Sequence, residues 1–389
     1  MVRVRFAQGV PAPVCHFTQE QLCNWKLLAH FRKLLASRLE VRTPTATEED
    51  PRRKLTAEPY FSLHLFRLLN PVLNSMRALC AASHFQKMQE EVCPKTVAPS
   101  SFSEAQHLFS PQILEQIVRD LAQQARGGVQ FGDAQLRSAV QTLTAVDGTV
   151  IRAVNRMTWA PAAGHGSAIR LHLHFSVFDQ LPVDWSITPA NICERKEWKK
   201  KIQPGQFFVA DRLYGEDHLL LKQLQKQGVH FVVRLLGNVI RNAAGPSRDL
   251  TPEDKEGGVI SDRLEELGCR GGGPILRIIE IHAEDKVLLL ATTRTDLPAH
   301  LIGLIYRYRW QIELFFKWFK TMLPCKHWIA ESAAGVAIQI YTVMIASLLL
   351  MLWTGRRPTK RQMEALRLYW MGFITDQELT EALGLKKNQ

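Results

Sequence analysis

The sequence contains no cysteine pair with the spacing of a zinc site. Its seven cysteines occur singly, without a CxxC pair or a CxxC…HxxxH arrangement, which argues against the common zinc folds and favours a reduced, cytoplasmic protein. The first residues, MVRVRFAQG, lack a continuous apolar core followed by a cleavage site of small residues, so secretion is not expected. The chain also has no internal repeat and no low-complexity tract.

Long apolar runs are scarce as well. One run, VAIQIYTVMIASLLLMLW at 336–353, is free of formal charge for 18 residues and reaches the lower limit for a membrane span. It contains Gln339, Tyr341, Thr342 and Ser347, and it stands alone. We therefore predict a buried core helix and no association with a membrane.

Acidic residues are outnumbered by basic ones. The chain has 49 Lys and Arg against 37 Asp and Glu, a formal net charge of +12 and a pI of about 9.5. This balance suits a polyanionic partner such as nucleic acid. A basic protein without such a partner is the alternative, and charge alone does not choose DNA over RNA.

The N-terminal part of the chain has helical patterns. Residues 17–42 predict an amphipathic helix whose polar side carries five cations: Lys26, Arg32, Lys33, Arg38 and Arg42. Such a helix can grip phosphates, or its charged side can simply face solvent. Further helical patterns at 60–92 and 104–126 complete a predicted α-helical domain.

The pattern changes to β near residue 141. Three strands are predicted first, from TLTAVDGTVIRAV, SAIRLHLHFSVF and VDWSITPA. A helix is predicted next from NICERKEWKKKI and a fourth strand from QFFVADRLYG. A second helix at 217–227 and a fifth strand at 229–236 follow. The first strand carries Asp147 as its single acid, and the fourth strand ends at Asp211. Taken alone, Asp147 before Gly148 could be a turn residue, and Asp211 beside Arg212 could be a surface ion pair.

A helix with two chemically different sides is predicted at 305–320, IYRYRWQIELFFKWFK. At about 100° per residue, the polar residues share an arc of roughly 60°: Tyr306, Arg309, Glu313 and Lys320. The apolar residues share the opposite side, which predicts burial: Leu304, Ile312, Phe315, Phe316 and Phe319. Lys317 and Trp310 flank the polar arc, and Trp310 could touch DNA or pack. The alternative is a solvated face with an ordinary Glu313–Lys317 ion pair.

The spacing of Tyr306, Arg309, Glu313 and Lys320 resembles the Tyr-Arg-Glu-Lys motif of the insertion-sequence 4 family of bacterial DDE transposases. The resemblance implies an α/β fold whose ribonuclease H-like core is a mixed five-stranded sheet with helices, interrupted by a β-rich insertion. The implied domains are an α-helical DNA-end-binding domain at 1–135, core at 136–236, insertion at 237–299, core again at 300–355 and a C-terminal helical segment at 356–389.

The resemblance also implies the chemistry. Asp147, Asp211 and Glu313 would be the catalytic acids and would hold two Mg²⁺ ions, for which Mn²⁺ can substitute, because these hard cations prefer oxygen ligands. The residues expected at DNA phosphates share long polar ends: Tyr306, Arg309, Lys317 and Lys320.

The implied function is that of a cytoplasmic DNA transposase, which binds terminal inverted repeats, cleaves DNA as an endonuclease and joins the 3′ ends to target DNA. A homodimer is expected on the paired DNA ends. Two alternatives stay open. One is a transposase-derived DNA-binding protein without catalysis, and the other is a metal-dependent nuclease of the same fold without strand transfer.

Overall fold

The computed structural model describes residues 26–70, 72–162, 166–268, 271–283, 286–323 and 328–385. They separate into two units. The helical unit combines residues up to Gln130 with those from Trp318 onward, and the sheet unit is Phe131–Lys317. The first part of the predicted helix at 17–42, residues 17–25, lies outside the described residues.

The helices are distributed over both units. In chain order they are α1 (Lys26–Glu40), α2 (Ala57–Leu69), α3 (Met76–Ala82), α4 (Gln86–Glu91), α5 (Pro99–Leu108), α6 (Gln112–Ala125), α7 (Ala134–Ala139), α8 (Glu194–Lys199), α9 (Arg212–Gly215), α10 (His218–Lys226), α11 (Pro252–Glu256), α12 (Ala299–Tyr308), α13 (Trp310–Met322), α14 (Ala333–Thr354), α15 (Lys360–Trp370) and α16 (Asp376–Leu383). The helical unit holds α1–α6 and α14–α16, the sheet unit holds α7–α12, and the boundary falls within α13.

The apolar run at 336–353 forms most of α14, which packs against α2, α5 and α6. By length and composition this helix could cross a membrane, but every residue of its most apolar stretch is buried inside the protein. Its polar side chains are satisfied locally, since Thr342 donates to the carbonyl of Ile338 and Gln339 donates to the carbonyls of Ala330 and Gly335. These observations agree with the predicted core helix.

Three of the cations predicted for the helix at 17–42 are engaged inside the helical unit. Arg32 bonds Glu58, Arg38 bonds Asp120 and Arg42 bonds Glu48. Each carboxylate neutralises a charge that a phosphate would otherwise attract. Lys33 is exposed on the same helix. The part of α1 that the structure describes therefore gives little support to a phosphate-gripping role for this helix.

The strands of the sheet unit form a single mixed sheet. They are β1 (Thr144–Arg152), β2 (Ala168–Ser176), β3 (Leu181–Pro189), β4 (Phe207–Ala210), β5 (His230–Arg234), β6 (Arg241–Ser247), β7 (Val259–Leu267), β8 (Ile275–Ala283) and β9 (Lys286–Thr292). Their order across the sheet is β3-β2-β1-β4-β5-β9-β8-β7-β6. The central strands β1, β4 and β5 are parallel, and β2, β3 and β9 run antiparallel to their neighbours.

The chain from β1 to β5 has the predicted element order of three strands, a helix, a strand, a helix and a strand, with the short α9 added after β4. The sheet has nine strands, whereas five were predicted for the core and the residues after them were predicted as a β-rich insertion. In the structure β9 pairs with β5 and adds β8, β7 and β6 to the same sheet. The residues after β5 thus extend the sheet.

Both faces of the central strands are covered, as expected for parallel strands with apolar residues throughout. On one face, Trp198 of α8 and Leu221 of α10 belong to a buried cluster with Phe208 and Phe231. On the other face, the ring centroids of Phe175 in β2 and Phe315 in α13 are 5.3 Å apart. Apolar side chains thus pack on both faces of the sheet near the segments of β1 and β4 that precede the two predicted aspartates.

Candidate active site

Asp147 and Asp211 occupy equivalent places on two neighbouring parallel strands. Val146 of β1 and Ala210 of β4 are the last residues that these two strands pair with each other, and each aspartate comes next. Strand β4 ends there, whereas β1 continues to Arg152. Because the carboxyl ends of parallel strands meet at one edge of a sheet, the two carboxylates lie side by side.

Asp147 lies inside β1 and not in a turn, so the interpretation of Asp147-Gly148 as a simple turn is wrong. Its carboxylate accepts a hydrogen bond from the N–H of Gly148 at 2.8 Å. Burial raises the pKa of Asp147 to about 7, and the negative charge of Asp211 is the second cause of this rise. The positive charge of Arg309 opposes the rise. An acid with this pKa is poised to exchange its proton for a bound cation.

Asp211 is held by the start of a helix. Its carboxylate accepts a hydrogen bond from the N–H of Leu213 at 2.9 Å and so caps α9. This contact fixes the side chain close to the strand end. The contact accounts for the orientation of Asp211 without the surface ion pair to Arg212 that the sequence left open.

The predicted helix at 305–320 is interrupted at Arg309, between α12 and α13. The N–H of Arg309 bonds the carbonyl of Tyr306, and the N–H of Ile312 bonds the carbonyl of Arg309, both at 3.2 Å. These contacts span three residues, as in a 3₁₀ turn, so the chain tightens locally while it continues in a helical conformation.

The tightened turn places Arg309 between Tyr306 and Glu313. Arg309 Nη2 lies 2.6 Å from Glu313 Oε1, and the guanidinium carbon lies 5.6 Å from the centre of the Tyr306 ring. Glu313 therefore pairs with Arg309 and not, as the alternative required, with Lys317. Among the described residues, the buried Nε of Arg309 has no hydrogen-bond partner.

The two sides of this segment differ as predicted. Ile312, Phe315 and Phe316 are buried. Lys317 and Lys320 are exposed, so their ammonium groups are available to a polyanion. Trp310 is 54% exposed, which disfavours the interpretation that its ring serves only for packing.

The sequence did not identify Glu194, which lies beside the two aspartates. Arg170 Nη1 is 2.9 Å from Glu194 Oε1, and the Tyr214 hydroxyl donates a long hydrogen bond of 3.4 Å to Oε2. Burial raises the pKa of Glu194, Arg170 opposes this shift, and the charge of Asp211 reinforces it. The available signal was Gly148, which follows Asp147 inside a predicted strand. A glycine within a strand often marks a place where another group approaches the backbone closely.

The site fits a hard divalent cation only in part. The Asp147–Asp211 pair supplies two adjacent carboxylates, and burial together with the charge of Asp211 raises the pKa of Asp147. In the part of the chain that the structure describes, however, no three His, Cys, Asp or Glu side chains converge as a metal site requires. Glu313 is engaged by Arg309, so it would have to turn from that guanidinium to join the aspartates.

Comparison with known proteins gives a consistent result. The family description "Transposase DDE domain" matches residues 138–349, more than half of the chain. "Putative transposase y4zB" of Sinorhizobium fredii is 25% identical over 213 residues, which cover 54% of this chain and 60% of that protein. "Probable transposase for insertion sequence element IS5377" of Geobacillus stearothermophilus is 26% identical over 212 residues, which cover 54% of this chain and 55% of that protein. The chain thus spans less than two thirds of the length of these relatives.

One similar solved structure is titled as a cryo-EM structure of the piggyBac transposase synaptic complex with hairpin DNA. The TM-score is 0.44 at 10% sequence identity, and the similarity covers 95% of this chain and 82% of that one. A similarity at this level bears on neither the mechanism nor the partners of the chain.

Proposed function

Since the chain belongs to the family of transposase DDE domains, we propose that it is a DNA transposase that excises a mobile element and inserts it elsewhere. It binds the terminal inverted repeats of the element, cleaves the DNA there and joins the 3′ ends to target DNA. The observation that carries this proposal is the side-by-side position of Asp147 and Asp211 on β1 and β4, with Arg309 and Glu313 close enough for the Arg309 charge to act on Asp147.

The finer classification belongs to the same proposal. The spacing of Tyr306, Arg309, Glu313 and Lys320 supports membership of the insertion-sequence 4 group. The strand order β3-β2-β1-β4-β5, with β2 antiparallel to β1 and with β4 and β5 parallel to β1, supports a ribonuclease H-like core.

Three carboxylates of this chain would hold the metal ions. Asp147, Asp211 and Glu313 supply hard oxygen ligands of the kind that Mg²⁺ prefers, and Mn²⁺ can take its place. Bound divalent ions lower the pKa of an attacking hydroxyl and stabilise the charge that develops on the phosphate. Rigid strand ends hold Asp147 and Asp211 in place, and the buried apolar side of α13 holds Glu313.

Arg309 and Tyr306 are proposed to bind the phosphate next to the cut. The Arg309 Nε–H is buried and unpaired among the described residues, so a phosphate oxygen can accept it without displacing a protein contact. The Tyr306 ring lies against the guanidinium and restricts its orientation. Lys317 and Lys320 are exposed and add sequence-independent attraction to the DNA backbone.

The remaining parts of the proposal follow from the reaction. Both ends of an element are processed together, so we expect a homodimer on two DNA ends. A chain that acts on chromosomal DNA in a bacterium works in the cytoplasm. Without strand transfer the chain would be a nuclease of the same fold, and without cleavage it would be a DNA-binding protein derived from a transposase.

The test uses the full chain and a duplex taken from the DNA that flanks its coding sequence, where inverted repeats are expected. The duplex is labelled at the 5′ end of the strand whose 3′ end at the repeat boundary is to be joined, and it is incubated with a supercoiled plasmid, with Mg²⁺ or with EDTA. We expect Mg²⁺-dependent nicks at the repeat boundary and label joined to the plasmid. Nicks without joined label would indicate the nuclease, and binding without nicks would indicate the non-catalytic protein.

A further inference from the structure

We propose that Glu194 is a positioning residue, which fastens the segments that carry Asp147 and Asp211 to each other and thereby fixes the two carboxylates. The proposal rests on the function proposed above for that pair. It concerns α8, a helix whose sequence indicates only a basic, solvated element.

The first observation is that the Glu194 carboxylate occupies the space above Gly148. A Cβ atom built there would lie 2.7 Å from Glu194 Cδ and 2.9 and 3.0 Å from the two carboxylate oxygens. Gly148 is not among the glycines with a positive φ angle, so its backbone does not itself require glycine. The absence of a side chain serves the close approach of Glu194 to the residue that follows Asp147.

The second observation is that the Glu194 carboxylate is fully engaged by groups from three different elements. Arg170 of β2 bonds Oε1, and Tyr214 of α9 bonds Oε2. Gly148 in β1 lies against the same carboxylate, which occupies the space that a Cβ atom would fill. A side chain held by several partners is already ordered before a metal ion binds. Its fixed position can therefore orient the backbone that it contacts.

The third observation is that α8 is tied to the Asp211 segment twice. Tyr214 lies three residues after Asp211 in the helix that Asp211 caps, and it is 1% exposed. In addition, Arg195 Nη1 donates to the carbonyl of Leu213 at 3.3 Å. Glu194 and Arg195 therefore hold the turn after β4 while Glu194 holds β1.

The contacts also distinguish positioning from direct participation. Arg170 neutralises the charge of Glu194, and both oxygens already have protein partners. In the pairing of β1 with β2, Gly148 lies opposite His172 and Asp147 lies opposite Leu173. Successive residues of a strand point to opposite faces of the sheet, so the Asp147 side chain points away from the face on which Gly148 meets Glu194. Glu194 covers the Gly148 side of β1, and Asp147 feels the charge of Glu194 as well as the opposing charge of Arg309.

The experiment compares variants of the full chain by Mn²⁺ binding, nicking and thermal unfolding. Free Mn²⁺ is measured by electron paramagnetic resonance without DNA, nicking is titrated with Mn²⁺, and unfolding is followed by circular dichroism. The variants are Glu194→Ala, Glu194→Gln, Gly148→Ala and Arg170→Gln. Glu197→Ala is the matched control, because Glu197 lies one turn further along α8 and pairs with Lys200.

We expect Glu194→Ala and Gly148→Ala to weaken Mn²⁺ binding by about 10- to 100-fold, the usual loss when a group that orients a ligand is removed. Arg170→Gln should weaken it in the same direction. Glu194→Gln should lie closer to wild type, because its amide fills the same space above Gly148 and its oxygen can still accept from Tyr214. The Glu197→Ala control should bind and nick like wild type.

Two results would overturn the positioning role. The first is a folded Glu194→Ala variant that binds Mn²⁺ with wild-type affinity. The second is a Glu194→Gln variant that binds Mn²⁺ as weakly as Asp147→Asn does, because this would indicate that Glu194 is itself a metal ligand. If Glu194→Ala does not fold, Gly148→Ala and Arg170→Gln decide by the same criterion. A wild-type chain that neither nicks nor binds Mn²⁺, or an Asp147→Asn variant that does both normally, would instead contradict the proposed function.

Discussion

Arg309 binds Glu313 through Nη2 and Oε1 at 2.6 Å, and the charge of the same guanidinium opposes the rise that burial causes in the pKa of Asp147. One cation thus serves the helix acid and the strand acid at once. Before metal and DNA arrive, it compensates part of the negative charge that the carboxylates bring together. Once a phosphate is bound, the unpaired Nε of Arg309 can contribute to holding it.

Replacement of Arg309 should therefore affect catalysis more than binding. Arg309→Ala removes a donor near the reacting phosphate and releases Glu313, so we expect nicking to slow by about 10²- to 10³-fold. Arg309→Lys keeps the charge but cannot make two parallel bonds, so it should recover only part of this loss. Single-turnover nicking measures the effect, and a full recovery by Arg309→Lys would contradict the geometric role.

The exposed lysines of α13 should affect binding more than catalysis. Lys317→Ala and Lys320→Ala each remove one potential phosphate contact, so the slope of log affinity against log salt should fall by at most about one per substitution. Lys360→Ala, whose ammonium lies 3.5 Å from Glu364 on α15, is the control. Salt titrations on one duplex measure the slopes, and unchanged slopes for both α13 variants would indicate a merely solvated face.

The raised pKa of Asp147 predicts a pH dependence of stability in the metal-free protein. An acid with a folded-state pKa of about 7 stabilises the fold below its ordinary pKa near 4, and this contribution disappears as the pH rises through about 7. We expect the unfolding midpoint of wild type to fall relative to Asp147→Asn between about pH 5 and about pH 8.

This comparison cancels the contributions of other groups. Burial lowers the pKa of His64 to about 3 and those of His172 and His174 to about 4. These histidines make the folded chain more stable as the pH rises through their ordinary pKa, but they are common to both proteins. Parallel midpoint curves, recorded by circular dichroism in EDTA, would show that Asp147 does not titrate as proposed.

A buried ion pair next to the start of α12 should be important for stability. Arg277 and Asp262 are 2% and 4% exposed and bond at 2.6 Å, and Arg277 Nη1 also donates to the carbonyls of Arg294 and Leu297 at 3.0 and 2.5 Å. Arg277→Met leaves the Asp262 carboxylate buried and unpaired, so we expect a loss of about 3–5 kcal/mol in the free energy of unfolding.

The control for this prediction is Arg263→Met in the same sheet. Arg263 is 41% exposed and lies 3.4 Å from Glu265, so its loss should cost at most about 1 kcal/mol. Urea unfolding of the full chain, followed by circular dichroism, compares the two variants. Equal midpoints would mean that the Arg277 pair does not stabilise the chain more than a surface pair does.

The elements from β1 to β5 could be predicted because each carries a local signal. The alternation in β2 and the apolar run before Asp211 are typical of buried strands. Strand β6 has the sequence RNAAGPS, which has the composition of a turn. It is the edge strand of the sheet and pairs with β7, so it is β7 and not the propensity of its own residues that makes it a strand.

The positions of candidate site residues could be predicted from the sequence only where a residue comes at the end of a predicted strand or on one face of a predicted helix. Asp211 follows a strand end, and the helical spacing places Arg309 and Glu313 on one arc. The sequence did not predict that Arg309 pairs with Glu313. The approach of Glu194 to Gly148 joins residues 46 positions apart through tertiary packing, which leaves no periodic trace in the sequence. The turn at Arg309 was also unforeseen, because a three-residue hydrogen-bond pattern hardly changes the side-chain arc.

The most direct measurement is single-turnover nicking of a terminal-repeat duplex with Mg²⁺ by Asp147→Asn, Asp211→Asn and Glu313→Gln, with DNA affinity measured in EDTA. Each substitution removes a charged ligand worth several kcal/mol to the transition state, so nicking should fall by roughly a thousandfold or more. DNA affinity should be unchanged or slightly higher, because a charge that repels phosphate is lost. Near wild-type nicking by any of the three variants, in protein that binds DNA normally, would contradict the assignment of that carboxylate to the active site.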